Sequence, residues 1–388
     1  MENHHQLLVD CGDFGYTTAK AQTLKVEYLL KGMGLLEYDA INLAEKDLQY
    51  GREFLERMRD QYDLPFVSAN VYQAGTDKLF AKSHIIKKIG GVKFGIFGIM
   101  NTKGISRMVT PKTGFEVKDP LTAAKKAVKE LRKKCDVVIA LAHMSLNGSR
   151  DLAKQVQGID FIISGHGGSH IRQPEKIGET VIMQPGSQGK YLGQLDFVVT
   201  GETVSQVRGK TVDLSDKIKD EANLAKVIKE YEEALLATYP LQSPKAQTKF
   251  SRYSERSCAA CHRKQDHQWR TTLHAKAWET LVREKQNHNP ECQQCHTTMN
   301  GETNGFTSIR ETPDLVNVQC SQCHRFNGDN ILTHINRRRN AAKSSNGKTN
   351  GQNASDFQPV SEQICLKCHT EDNSPDFNYD SYKTKITH

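Results

Sequence analysis

Apolar and polar positions divide this chain into two stretches of different texture. Up to about residue 215, short apolar runs alternate with longer amphipathic ones. The runs 7–10 (LLVD), 40–44 (AINLA), 65–71 (PFVSANV), 136–144 (DVVIALAHM) and 161–165 (FIISG) are predicted as buried strands. Stretches 19–33 (AKAQTLKVEYLLKGM) and 119–135 (DPLTAAKKAVKELRKKC) space their apolar residues as helices do, the second opening on Asp119 as N-cap. Residues 85–100 (IIKKIGGVKFGIFGIM) read as a hairpin turning at Gly90 and Gly91. This order predicts a layered α/β domain over residues 1–215. Residues 216–238 are predicted as one charged helix, within a strut and linker over 216–250. Beyond residue 250 apolar periodicity nearly vanishes, and 251–388 reads as a mainly α domain of short helices between cysteine motifs. Residues 337–355 (RRRNAAKSSNGKTNGQNAS) are polar and of low complexity, and read as a solvated loop.

The chain has 388 residues, enough for two domains with separate interiors, and its mean hydropathy is −0.61. No apolar run is long enough to be a membrane-spanning helix. The start, MENHHQLLVDCGDFG, contains no export signal, because its first apolar run is only Leu7 to Val9.

Eight of the ten cysteines form pairs of identical spacing: Cys258/Cys261, Cys292/Cys295, Cys320/Cys323 and Cys365/Cys368. Zinc or disulfides would be the ordinary reading of paired cysteines. Each second cysteine is, however, followed directly by a histidine: His262, His296, His324 and His369. C-x-x-C-H is the attachment signature of haem c, in which the thiols bond the porphyrin vinyls and the histidine becomes the proximal iron ligand. Four haem c groups are therefore expected, supplying apolar mass in place of a side-chain core. Candidate distal ligands are His267, His274, His288, His334 and His388. A distal imidazole suits electron transfer, whereas an open face suits ligand binding. The formal charge of +8 is spread along the chain, and haem propionates would offset it, so nucleic acid is not expected as a partner.

The stretches WRTTLHAKAW, NPECQQCHTT, NVQCSQCH and CLKCHTEDNSPDFNYDSYKTKITH resemble the cytochrome c-554 family of tetrahaem cytochromes over roughly residues 251–388. The resemblance implies closely stacked, mostly bis-histidine haems serving electron transfer, and favours His274, His334 and His388 as distal ligands. It implies redox partner proteins, other multihaem cytochromes among them. The chain departs from the family in CHRFNGDN, where a Gly-Pro-Gly turn is common, and in the insertion after Arg337.

In the first half, LLVDCGDFGYT, INLAEKDLQYG, IALAHMS and IDFIISGHGGSH place carboxylates and imidazoles at predicted strand ends. Such donors suit Mn, Fe or Zn. With QPGSQGKYLGQLDF, these segments resemble the periplasmic 5′-nucleotidase and UDP-sugar hydrolase metallophosphoesterases over about residues 7–200. The resemblance implies one or two divalent ions. Asp13 would be the bridging carboxylate and His143 and His166 would be ligands. The family's Gly-Asn-His-Glu motif is here AEKD, so Glu45 replaces a ligand asparagine and Lys46 the transition-state histidine. The family's GHSH becomes GHGGSH, which displaces His170 by two residues, and its first Asp-x-His motif is not found.

The missing first motif and the missing export signal would both lie upstream of Met1, so truncation and a periplasmic or extracellular location are expected. Three functions are in view. The first is an exported multihaem electron carrier with a degenerate metallophosphoesterase-like domain. The second is a metal-dependent hydrolase of phosphate or related esters tethered to a redox module. The third is a haem enzyme acting on a small nitrogen or sulfur compound.

Overall fold

The computed structural model describes residues 5–15, 17–102, 109, 111–167, 170–215, 217–246, 250–326, 331–334, 336, 358–370 and 373–387. The predicted loop 337–355 and His388 lie outside the described residues. The chain divides into two compact units, Met1–Glu232 and Glu233–His388.

In the N-terminal unit, β1 (Val9–Asp10), β2 (Ala40–Asn42) and β3 (Phe66–Val67) form a parallel three-stranded sheet. A second sheet has six strands: β5 (His84–Ile89), β6 (Val92–Met100), β8 (Val137–His143), β9 (Phe161–Ser164), β10 (Glu175–Ile177) and β11 (Thr180–Met183). Their spatial order is β10-β11-β9-β8-β6-β5, with β6, β8, β9 and β11 parallel and antiparallel strands at both edges. Two further pairs, β4 (Val71–Gln73) with β7 (Phe115–Val117) and β12 (Tyr191–Thr200) with β13 (Thr203–Asp213), are antiparallel.

Side-chain alternation sorts these strands into layers. Val137, Ile139 and Leu141 of β8 join Ala40 and Val67 of the small sheet in one cluster, so the two sheets face each other. The intervening Val138, Ala140 and Ala142 pack instead on α4 (Pro120–Leu131) and α5 (Leu146–Gln155). On the far side, Ile41 and Phe66 meet α1 (Lys20–Leu35) and α3 (Arg52–Tyr62). A strand buried on both faces needs apolar residues at every position, which is why β8 is continuously apolar. The result is a helix–sheet–sheet–helix sandwich.

The hairpin at Gly90 and Gly91 forms, with φ values of 59° and 89° that glycine adopts at little cost. Asp119 caps α4 by accepting from the Thr122 N–H at 2.7 Å. The run 65–71 is two strands rather than one. Buried Asn70 breaks it, accepting from Met100 N–H and donating to the Met100 and Lys118 carbonyls. Helix α6 (Ala222–Thr238) starts six residues later than the pattern suggests, and its Tyr231 ring lies 5.8 Å from Tyr28 of α1.

In the C-terminal unit the described elements are short helices: α7 (Glu255–Ala259), α8 (Arg263–Arg270), α9 (Ala277–Arg283), α10 (Pro290–His296), α11 (Cys320–Cys323), α12 (Glu362–Cys365) and α13 (Tyr379–Ile386). The sequence WRTTLHAKAWETL (269–281) reads as one helix holding His274, and in the structure that helix is broken. The Thr271 and Thr272 hydroxyls donate back to the Gln268 and Trp269 carbonyls, ending α8, and His274 sits in a separate turn, Leu273–Lys276. Residues 314–319 lace the unit together. Val318 accepts from the Trp269 indole at 2.8 Å and donates to the His274 carbonyl, while buried Gln319 bonds Glu255, Asp314 and Val316.

Candidate metal centre and haem sites

Parallel strands bring their carboxyl ends to one rim of the sandwich, and the N-terminal site is built there. Asp13 follows β1, Glu45 opens the short helix α2 (Glu45–Leu48) after β2, His143 ends β8 and His166 follows β9. Gly12 has φ of 84°, and a Cβ there would meet the Asn42 carbonyl at 2.9 Å, so the approach needs glycine. Asp13 itself is held in the left-handed region at φ 67°. Buried Asp47 fixes that turn by accepting from the N–H groups of Asp13 (2.8 Å), Ala44 (2.9 Å) and Gly15 (3.3 Å). Asn42, fully buried, donates to the carbonyls of Cys11, Ile99 and Leu141, joining the two sheets beneath the site.

His143 is buried, and its Nδ1 lies 3.2 Å from the Cys11 carbonyl. That bond places the proton on Nδ1 and turns Nε2 toward the site, as metal-binding imidazoles require. Nε2 is 3.0 Å from His166 Nδ1, 3.3 Å from Glu45 Oε2 and 3.5 Å from Asp13 Oδ2. One donor atom from each of the four residues lies within 4.8 Å of the others, a set that fits one divalent ion of the Mn, Fe or Zn type. Burial alone would raise the Glu45 carboxyl, but bonds from His143 and His166 override it and hold the acid well below its usual range. His166, bonded to Glu45, keeps its proton to higher pH than a free imidazole. Burial raises Asp47 and Asp10 behind the site. Lys46 donates its backbone N–H to Asp13 Oδ1 at 3.0 Å, and its ammonium lies 3.1 Å from Asp13 Oδ2. His170 is not gathered in. Gly167 takes φ of 97° directly after His166, and the His170 ring ends stacked on Tyr191 at 4.7 Å.

In the C-terminal unit each cysteine pair sits on or beside a helical turn. The eight thiols are not equivalent, as their identical spacing suggests they should be. Cys261 is exposed, whereas the other seven motif cysteines are partly covered. The physical reason is local: α7 ends at Ala259, and Cys261 stands in the turn before α8, tied back by its N–H to the Cys258 carbonyl at 3.1 Å. The first motif therefore presents one sheltered thiol, Cys258, and one at the surface, Cys261.

His262 and His334 have ring centroids 6.0 Å apart, and so do His274 and His369. An iron ligated on both faces needs about this spacing, two metal–nitrogen bonds of about 2 Å plus the ring radii. Burial, and for His274 the neighbouring His369, lowers both imidazoles of the second pair, favouring the neutral form that binds iron. His296 Nδ1 is 2.6 Å from the Ala277 carbonyl and His369 Nδ1 is 3.0 Å from Ser374 Oγ, which directs each Nε2 outward. Cys258 and Cys320 are near enough to perturb one another's ionisation, as are Cys295 and Cys368. His267 is exposed, and both ring nitrogens of His288 are buried.

Known proteins match both units. A 5′-nucleotidase of Vibrio cholerae is 28% identical over 251 residues, covering 56% of this chain and 45% of that protein. Protein UshA of Yersinia enterocolitica is 26% identical over 224 residues, covering 49% and 40%. The chain thus spans less than half the length of these relatives. A sulfate thiohydrolase SoxB from Thermus thermophilus superposes with a TM-score of 0.54 at 20% identity, over 61% of this chain and 44% of that one. A 5′-nucleotidase precursor from the same organism gives 0.53 at 19%, over 63% and 52%. The N-terminal region matches the 5′-nucleotidase/UshA metallophosphoesterase family in sequence and in structure. The family described as cytochrome c554 and c-prime matches residues 257–325, which carry three of the four C-x-x-C-H motifs. The C-terminal region is thus multihaem-cytochrome-like, and haem is its implied cofactor. Among the described residues no helix is long and apolar enough to cross a membrane.

In the 5′-nucleotidase-like region, sequence reasoning missed Asp47 and Asn42. Asp47 stands three residues after Ala44, where a carboxylate can bond back to the helix start, and that spacing was a usable signal. For Asn42 the signal was a polar residue inside an apolar strand run.

Proposed function

We propose that this protein is an exported multihaem c-type cytochrome that moves electrons through four covalent haems, joined to a degenerate 5′-nucleotidase-like domain that binds a divalent metal. The observation that carries this reading is the proximity of two imidazole pairs, His262 with His334 and His274 with His369, each with ring centroids 6.0 Å apart. At each motif the two cysteines and the histidine would hold a haem, the thiols by thioether bonds to its vinyl groups and the histidine through its iron. Two imidazoles on one iron would keep it low-spin, with little rearrangement on electron transfer. The neighbouring thiols, Cys258 by Cys320 and Cys295 by Cys368, support closely spaced haems along which electrons pass to redox partner proteins in the periplasm or outside the cell. A pyridine haemochrome assay with intact mass should find four haems per chain of exported protein. Fewer than four would refute the reading.

Metal-dependent phosphoester hydrolysis ranks second, and the Asp13, Glu45, His143 and His166 cluster is what favours it. When bound, a divalent ion there supplies Lewis-acid polarisation of an ester oxygen. Asp47 fixes the Asp13 turn through backbone N–H groups, but a lysine stands at position 46 where the resemblance implies a proton-transferring imidazole. A chromogenic phosphoester assayed with added Mn2+ should turn over poorly; vigorous hydrolysis would reverse the ranking.

A further inference from the structure

The loop after the second cysteine motif is closed on itself and fastened to its surroundings. The Phe306 N–H donates to the Thr298 carbonyl at 2.9 Å, and the buried Phe306 ring lies 5.7 Å from Trp278. Met299, Gly301 and Asn304 take φ of 55°, 74° and 65°, and a Cβ at Gly305 would strike the Met299 carbonyl at 1.7 Å. Gln322, between the cysteines of the third motif, accepts the Met299 N–H on its side chain at 2.6 Å. The loop therefore presents Glu302 at a fixed place beside that motif.

Two cations from the later motifs meet it there. Arg325, directly after His324, donates through both terminal nitrogens to the two Glu302 oxygens, one of these bonds at 3.0 Å. Its Nε donates to the Gln322 carbonyl at 3.0 Å, which fixes the plane of the fork. Lys367, between Cys365 and Cys368, donates to Glu302 Oε1 at 3.2 Å. One carboxylate after the second motif thus joins the third and the fourth. Exposed ion pairs usually contribute little. This one differs, because the pairing is bidentate, a third charge shares the carboxylate, and the Arg325 side chain is only 12% exposed. A guanidinium so covered needs its counter-charge.

We propose that Glu302 is a positioning residue of the multihaem unit: it clasps the third and fourth haem motifs to the loop of the second, and its charge lowers the reduction potentials of the haems those two motifs carry. The proposal rests on the multihaem reading above. Without the carboxylate, Arg325 and Lys367 would stand uncompensated beside both motifs. They would then favour ferrous iron, which carries one positive charge fewer than ferric.

The test is a redox titration of the full-length haem-loaded protein, with haems counted by pyridine haemochrome assay and intact mass. Glu302→Gln should keep all four haems, because no thiol or iron ligand is touched. At least one couple should shift about threefold to tenfold toward the reduced form. That is about 30–60 mV upward, at about 59 mV per tenfold for one electron. Glu302→Asp keeps the charge and should stay within about twofold of the wild type. Lys367→Met, at a side chain 57% exposed, removes a cation and should move a couple the opposite way, by about twofold or more. That variant decides the matter should Glu302→Gln fail to load haem. Couples unchanged in both Glu302→Gln and Lys367→Met would overturn the proposal while leaving the multihaem reading standing. So would an equal upward shift in Glu284→Gln, at an exposed helix end, since it would trace the effect to overall charge. Fewer than four haems on the wild-type protein would overturn the multihaem reading, and the proposal with it.

Discussion

Three apolar clusters fill the layers of the N-terminal unit, whereas among the described residues of the C-terminal unit the buried large side chains, such as Leu281, Phe306 and Leu315, are scattered. The sites differ in parallel. Asp13, Glu45, His143 and His166 come from four strand ends far apart in sequence, while each haem motif is five consecutive residues. A unit with a complete side-chain interior can hold its site by backbone geometry. In the other unit few apolar side chains are buried among the described residues, and the haem implied by the family match is expected to supply apolar contacts.

That contrast breaks most visibly if haem attachment is prevented. Protein made without it should lose residues 251–387 completely to limited proteolysis, while a fragment containing residues 5–232 survives. Equal resistance of both units, read by mass spectrometry, would show that the C-terminal unit has a sufficient interior of its own.

Next in size is Asp47→Ala, which strips three buried or half-buried N–H groups of one acceptor. Hydrogen exchange around residues 9–15 should report a loss of about 2–4 kcal/mol, with the haem spectrum unchanged. A spectral change would mean that the units are not independent.

A smaller and strictly local effect is expected for His274→Ala. All four haems should stay attached, since no thiol is touched, and one iron should become high-spin. Its opposed imidazole, His369, identifies that haem as the one held by Cys365 and Cys368. An unchanged spectrum would reassign the distal ligand to His288 or His267.

The metal centre should in turn respond to pH where the haem sites do not. Binding an ion must displace the proton that Glu45 helps His166 retain, and His166 holds that proton above the ordinary histidine range. Mn2+ affinity should therefore rise with pH until above this raised value, then level off, and fall on acidification. A profile flat between pH 6 and pH 8 (about one unit either side of neutral) would remove His166 from the ligand set. His267→Ala, at an exposed position, should change stability by less than about 0.5 kcal/mol and leave every iron low- or high-spin as before.

Legibility followed the same division. The haem motifs could be read directly because covalent attachment demands contiguous residues, and the apolar strands because β8 and β9 are buried on both faces. Spacing alone made the eight thiols look alike, and the exposure of Cys261 was invisible because it depends on where α7 stops. Opposed imidazoles could not be paired from sequence, since His262 and His334 meet only through the fold. The four donors of the metal cluster were found by family order rather than by pattern, because nothing local marks a lone Glu45 or His143 as a ligand. His170, displaced by two residues in GHGGSH, lies with its ring on Tyr191. The break before His274 was missed because threonine hydroxyls compete with helix carbonyls in a way that apolar spacing does not register.

Asp13 and Glu45 belong to the small sheet and His143 and His166 to the large one, so an ion seated among them would act as a rivet through both plates of the sandwich. Sliding one sheet past the other would then have to tear out the rivet. By mass action the N-terminal unit should gain about 1.4 kcal/mol of resistance to unfolding for every tenfold rise in free ion beyond saturation. The mechanical toughness of this half would thus be set by the trace-metal supply around it.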